Sequence, residues 1–193
     1  MSGLKDIIKA LEKLGYFFSR ISEQDSRYDT FFEAIDRAQI QNGWFQKKAC
    51  IEAIQSWGAA LQPNNIARWK NKYQLKEKNS PKTVAVIMAG NIPLVSLHDL
   101  ISIWISGNKA LVKCATKDSI LIPFIVGIDP LFQSLTSFTD GKLEGFDAVI
   151  ATGSNNAARY FHYYFLSLSI KWNSIGEYFS LFSLMNKSIS FCL

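Results

Sequence analysis

The sequence predicts an α/β protein in which a helical N-terminal region precedes a partial parallel sheet, and three observations carry that expectation. Apolar residues over positions 1–78 recur at helical spacing. Beyond a lysine-rich stretch closed by Asn79-Ser80-Pro81, the pattern changes to short β-branched runs. Helical stretches separate those runs, and strands alternating with helices argue for a parallel sheet.

Taken in order, the segment Met1 to Gly15 sets Ile7, Ile8, Leu11 and Leu14 among charges at Lys5, Asp6, Lys9, Glu12 and Lys13. This is an amphipathic helix and not the unbroken apolar core of a signal peptide. Tyr28, Phe31, Phe32 and Ile35 mark a second helix, with Asp25 or Ser26 as N-cap and Asn42-Gly43 as stop. A third runs from about Phe45 to Leu61, and a fourth begins after Pro63-Asn64. The aromatic positions of this region read as packing.

Thr83 to Met88 is a β-branched apolar run, typical of a strand buried on both faces. Ala89-Gly90-Asn91-Ile92-Pro93 breaks it, and a helix is expected to Ser106, with Pro93 in its first turn and Gly107 as its stop. Lys109 to Cys114 is a second strand, Thr116 to Val126 a helix, and Asp147 to Thr152 a third strand. Gly153-Ser154 then turns into a helix from about Asn155 to Phe165. The expected division is a helical region over 1–80, a partial α/β domain over 81–165, and a divergent tail over 166–193 without sustained period.

A chain of 193 residues can bury roughly 70% of its unfolded surface, enough for a core without staples. Cys50, Cys114 and Cys192 are widely spaced and form neither a Cys-x-x-Cys pair nor a metal-ligand set, and His98 and His162 are the two histidines. No metal site or disulfide framework is indicated, and the cytoplasm is the default compartment. The longest apolar stretch, Ile92 to Ile105, is interrupted by His98 and Asp99 and is too short to span a bilayer. The net charge is +5, and the densest basic run is Lys70, Lys72, Lys76, Lys78 and Lys82. That run shows no aromatic-basic interleaving of RNA-binding type and reads as a solvated linker, not a nucleic-acid patch.

Three places can carry chemistry, because ligands of open parallel sheets bind where strand C-termini meet helix N-termini. At Thr152-Gly153-Ser154-Asn155-Asn156, glycine allows close backbone approach and a following helix offers free amides to a phosphate. A plain tight turn with a Ser or Asn cap reads equally well. Asn91 either caps the helix after it or points its amide at a developing oxyanion. Lys113, at the end of a buried strand, either snorkels to solvent or reaches a ribose or phosphate. His98 and Asp99, adjacent in a helix, point about 100° apart and read as structural. Cys114 reads as an inert core thiol.

The order and spacing of these places resemble the aldehyde dehydrogenase superfamily: apolar strand, Asn-x-Pro, apolar helix, Gly-Asn, and a strand ending in lysine. Met88-Ala89-Gly90-Asn91-Ile92-Pro93, then His98-Asp99, then Ile150-Ala151-Thr152-Gly153-Ser154-Asn155-Asn156 look like the long-chain acyl-CoA reductases, a family that includes the fatty acid reductase of bacterial luminescence. The resemblance covers Lys82 to Phe165 and implies a partial Rossmann-like sheet of the aldehyde dehydrogenase type. It also implies NADPH-dependent reduction of a long-chain fatty acyl thioester to an aldehyde in the cytoplasm. Carried over by residue, Asn91 is the oxyanion-stabilising amide, Lys113 meets the adenosine ribose or 2′-phosphate, and Gly153 with Ser154 holds the pyrophosphate. Relatives that prefer NAD often carry a glutamate where this chain has Thr116, followed here by Lys117, so NADP is the expected cofactor.

The family's nucleophilic cysteine lies further downstream than any cysteine of this sequence is placed to match. The helix after Lys117 stops early at Gly127-Ile128-Asp129-Pro130, and the Ser/Phe-rich tail no longer resembles the family. The expectation is an inactive N-terminal part of such a reductase, with a frameshift as the preferred origin of the tail. A nucleotide-binding pseudoenzyme and a non-functional fragment stay open as alternatives, as does a homo-oligomer.

Overall fold

A computed structural model of the protein describes residues 3–77, 80–153, 170–175 and 178–184. The N-terminal region is built from helices α1 (Leu4–Ser19), α2 (Asp29–Gln41), α3 (Lys47–Ala60) and α4 (Pro63–Lys72). Asp25 caps a 3₁₀ turn, Ser26–Tyr28, by accepting from the Arg27 amide, and α2 follows directly. Pro63 stands at the first turn of α4, where its missing N–H costs nothing. Helix α1 runs on past Gly15 to Ser19. Gly15 lies where α1 crosses the end of α3, and a Cβ there would sit 2.6 Å from the Leu61 carbonyl oxygen. The glycine is required by close approach and not as a helix stop.

The sheet strands are β1 (Thr83–Ile87), β2 (Lys109–Lys113), β3 (Thr136–Phe138), β4 (Ala148–Gly153), β5 (Ile170–Ile175) and β6 (Tyr178–Leu184). The first four are parallel in the order β3-β2-β1-β4, so the expected mixed α/β architecture is present. Helix α5 (Leu97–Ile105) connects β1 to β2, and α6 (Leu121–Gly127) with α7 (Pro130–Leu135) connects β2 to β3. Val84, Ala85 and Val86 are all buried, as a strand covered on both faces requires.

Several expectations need correction. Helix α5 begins at Leu97, not Pro93, because Ile92–Ser96 form a turn in which Leu94 takes a left-handed φ of 58°. That backbone costs a leucine about 1–2 kcal/mol, and the side chain is held there by burial. Helix α6 begins at Leu121, not Thr116, because residues 115–120 close a tight turn with the Asp118 amide on the Ala115 carbonyl at 2.9 Å. The early stop at Gly127 is real, but Asp129 caps a new helix with Pro130 at its start, and α7 leads into β3. In the tail, β6 and β5 form an antiparallel pair, and β6 lies antiparallel beside β4, so the outer edge of β4 is covered. The helix expected over 155–165 lies outside the described residues.

The Gly107 stop is present. Its φ is 72°, its amide reaches the Trp104 carbonyl at 2.9 Å, and the Asn108 amide reaches that of Ile103 at 3.1 Å, a complete Schellman cap. Asn108 then accepts the Lys82 amide at 3.0 Å, while Asp147 accepts the Thr83 amide at 2.8 Å. The N-terminal rim of the sheet is thereby tied across β2, β1 and β4. One apolar core runs from the helical region into the sheet, with Phe31 of α2 stacked on Phe124 of α6 at 4.9 Å between centroids. Trp104 of α5 stacks on Phe132 at 4.4 Å and donates to Thr136 Oγ1 at 3.1 Å, fixing α7 and β3.

Gly15→Ala should destabilise the chain by about 1–3 kcal/mol, since the crowding atom belongs to backbone. The check is urea unfolding. A midpoint equal to that of the parent would show that the α1–α3 crossing has room to spare.

Candidate functional site

Parallel pairing puts the C-terminal ends of β1, β2 and β4 on one rim. In register, Ile87 stands beside Lys113 on one side and Ala151 on the other. Asn91 follows four residues beyond Ile87 in the turn after β1, and Gly153 is the last residue of β4. Chain order reverses direction between β1 and β4, which makes their shared rim the topological switch point where open α/β sheets bind ligands.

Asn91 is exposed, and among the described residues its side chain makes no hydrogen bond. It precedes the start of α5 by a whole turn of chain, so the capping alternative for this asparagine is removed. Lys113 leaves the sheet end and donates to the Gly141 carbonyl at 2.8 Å in the connection from β3 to β4. Its charge is therefore at the rim but engaged by backbone. Thr116 is exposed in the turn after β2, with Lys117 beside it. Gly153 closes β4 in extended conformation, and Ser154 lies outside the described residues.

The two turns of the rim are packed into each other. A Cβ on Gly90 would sit 2.6 Å from the Ala115 Cβ, so glycine is needed for the turns to touch. The end of α2 holds both. Asn42, almost fully buried, donates to the Gly90 carbonyl at 2.9 Å, and Gln41 donates to the Thr116 carbonyl at 2.8 Å and Ser119 Oγ at 2.9 Å. The sequence marks Asn42 as a helix stop and gives no sign that its amide reaches the turn after β1.

Beneath these turns lies a group the sequence does not single out. Asp118 is 4% exposed, and among the described residues its Oδ1 has no hydrogen-bond partner. Burial pushes its carboxyl from an ordinary 3.8 up to about 7, against a hydrogen bond from the Leu121 amide that favours the charged form. Burial also raises the thiols of Cys50 and Cys114 to about 11, with the nearby Asp118 carboxylate adding to it. Both thiols are protonated near neutral pH, and neither is a ready nucleophile. Cys192 lies outside the described residues.

His98 stacks on Trp69 at 5.9 Å, tying α4 to α5. Its Nδ1 does approach Asp99 Oδ1, but at 3.7 Å, beyond hydrogen-bond reach. Beside the turn after β2, a cleft of about 480 Å³ is lined by Gln41, Asn42, Gly43, Trp44, Gln46 and Lys117. Trp44 is 78% exposed there, which is unusual for an indole. The hint in the sequence is a tryptophan placed directly after the Asn-Gly helix stop.

No helix among the described residues is long and apolar enough to cross a membrane.

The native fold keeps a proton on Asp118 between about pH 4 and 7, where the unfolded chain has released it. This group's contribution to stability thus falls as pH rises through that window and is constant above it. Asp118→Asn should exceed the parent in stability at pH 8 by up to about 4 kcal/mol, the gap closing by pH 4. Denaturant unfolding at several pH values reads this out, and a gap independent of pH would contradict it. Gly90→Ala should cost about 1–3 kcal/mol by forcing the rim turns apart, measured the same way.

Compared with known protein families, characterised proteins and solved structures, the chain gives no match in any of the three.

Proposed function

We propose that this chain is the cofactor-binding part of an acyl-CoA reductase of the aldehyde dehydrogenase type, holding NADPH along the rim of β1, β2 and β4 in a Rossmann-like sheet. The observation that carries the reading is the convergence of Asn91, Lys113, Thr116 and Gly153 on one rim at a switch point of strand order. The residues suit a phosphorylated dinucleotide. Gly153 admits close backbone approach at a strand end, and Ser154 follows it in sequence. Lys113 and Lys117 supply cations, and Thr116 leaves the neighbouring position uncharged.

In the family's reaction a cysteine thiolate attacks the fatty acyl thioester carbonyl and expels CoA thiolate. Held at the rim, a reduced nicotinamide would supply the hydride for release of the aldehyde. The part assigned to this chain is the Asn91 side-chain amide, which donates to the oxygen as negative charge develops on it. Cys50 and Cys114 are not assigned the nucleophile's role, because both are held protonated and neither lies on the rim turns as an exposed thiol. That state favours nucleotide binding without thioester chemistry by this chain alone.

Calorimetric titration should show saturable NADPH binding that is tighter than NADH binding. Thr116→Glu should weaken NADPH by at least about tenfold relative to NADH by setting a carboxylate against the 2′-phosphate. Equal affinities in the parent would count against the cofactor assignment. Aldehyde formed from a long-chain acyl-CoA and NADPH would count against the binding-only role.

A further inference from the structure

We propose that the cleft between the α2–α3 turn and Lys117 is a purine-nucleotide subsite, in which the Trp44 indole stacks on the base and the Lys117 ammonium pairs with a ribose phosphate. The proposal rests on the nucleotide reading of the rim and adds to it residues from the helical region, which the resemblance leaves without a role. The cleft volume of about 480 Å³ lies within the range of small-ligand sites. Its walls differ in chemistry. Trp44 offers a broad apolar face that the fold leaves 78% exposed, although an indole ordinarily gains by burial. Lys117 is exposed and has no ion pair or hydrogen bond among the described residues. A planar base with an attached anion satisfies both walls at once, whereas an apolar ligand would leave the ammonium unused.

Position favours the same ligand. Gln41 lines the cleft while its amide holds the Thr116 carbonyl, so the cleft opens directly beside the turn after β2. Asn42, also in the lining, holds the turn that carries Asn91. The cleft floor is thus fixed to both rim turns by hydrogen bonds, and an occupant would sit at a set distance from them. Trp44 itself is anchored through its backbone, its amide donating to Asn42 Oδ1 at 3.1 Å, while its ring makes no aromatic or cation–π contact among the described residues. Gln46 adds an amide that can address the edge of a base.

The test is calorimetry on the full chain with 2′,5′-ADP, 5′-AMP and NADPH as separate probes. The expected result is saturable 2′,5′-ADP binding, weakened about tenfold by Trp44→Ala and retained in Trp44→Phe, since base stacking on an aromatic ring is worth about 1–3 kcal/mol. Lys117→Ala should abolish the preference for 2′,5′-ADP over 5′-AMP and flatten its dependence on salt. Both side chains are exposed, and unchanged thermal unfolding of the variants would confirm that their folds are intact. If NADPH binds the parent and Trp44→Ala alike and only Lys117→Ala weakens it, the stacking subsite is wrong and the rim reading survives. If 2′,5′-ADP binds through Trp44 and Lys117 while NADPH does not bind, the subsite holds and the dinucleotide reading falls. Failure of the parent to bind any of the three probes would overturn both.

Discussion

The buried amide of Asn42 joins the helical region to the C-terminal rim of the sheet, and much of the arrangement at that rim depends on it. It donates to the Gly90 carbonyl and accepts the Trp44 amide, so one side chain ends α2, starts the turn toward α3 and anchors the turn after β1. Gln41 repeats the device one residue earlier on the turn after β2. Removing a buried partner of this kind leaves a carbonyl without compensation, at a cost of about 1–3 kcal/mol. The helices are therefore more than a cover for the sheet. They set the spacing of two turns whose contact, at Gly90 and Ala115, is too close for any side chain on residue 90.

How far the sequence reveals this arrangement depends on the range of the interaction behind each feature. Strand β1 is legible because Val84, Ala85 and Val86 form an apolar run buried on both faces, and β2 because Ala110-Leu111-Val112 is an apolar run set between two lysines. The Gly107 stop was legible because a left-handed C-terminal residue selects glycine from a short list. Helix α7 carries a local signal too, Asp129-Pro130 as cap and first turn, which in the sequence coincides with the end of the preceding helix. Strand β3 had no such signal. It is three residues long, and what fixes it is Trp104, 32 residues earlier in the chain. The antiparallel pair in the tail was hidden for a similar reason. Its main partner is the edge of β4, and only Gly176-Glu177, a short glycine-bearing connection in the sequence, hinted at a hairpin.

The site followed the same division. Asn91, Lys113 and Gly153 are legible because strand ends and the glycine turn are local features, and parallel topology brings such ends to one rim, whereas Thr116 is singled out only through the resemblance. The start of α5 could not be placed, since it depends on Leu94 adopting a left-handed backbone to bury its side chain. That displacement changes the chemistry available to Asn91. An asparagine at a helix N-cap spends its side chain on backbone amides, whereas one held ahead of an irregular turn keeps it for solvent or a ligand.

Charge at the turn after β2 is sorted by depth. Asp118 and Lys117 are neighbours in sequence, yet the carboxylate is turned into the core while the ammonium stays in water. Were both at the surface, they would tend to neutralise one another and the turn would present little net field. With Asp118 buried and its carboxyl raised to about 7, part of its population is uncharged near neutral pH, and the charge presented to solvent by residues 115–120 is that of Lys117. Burying a carboxyl group with an oxygen unpartnered costs stability, as its raised value records. In return the rim faces the cleft with a cation whose nearest carboxylate in sequence is withdrawn, the electrostatic setting that an anionic ligand beside Thr116 requires.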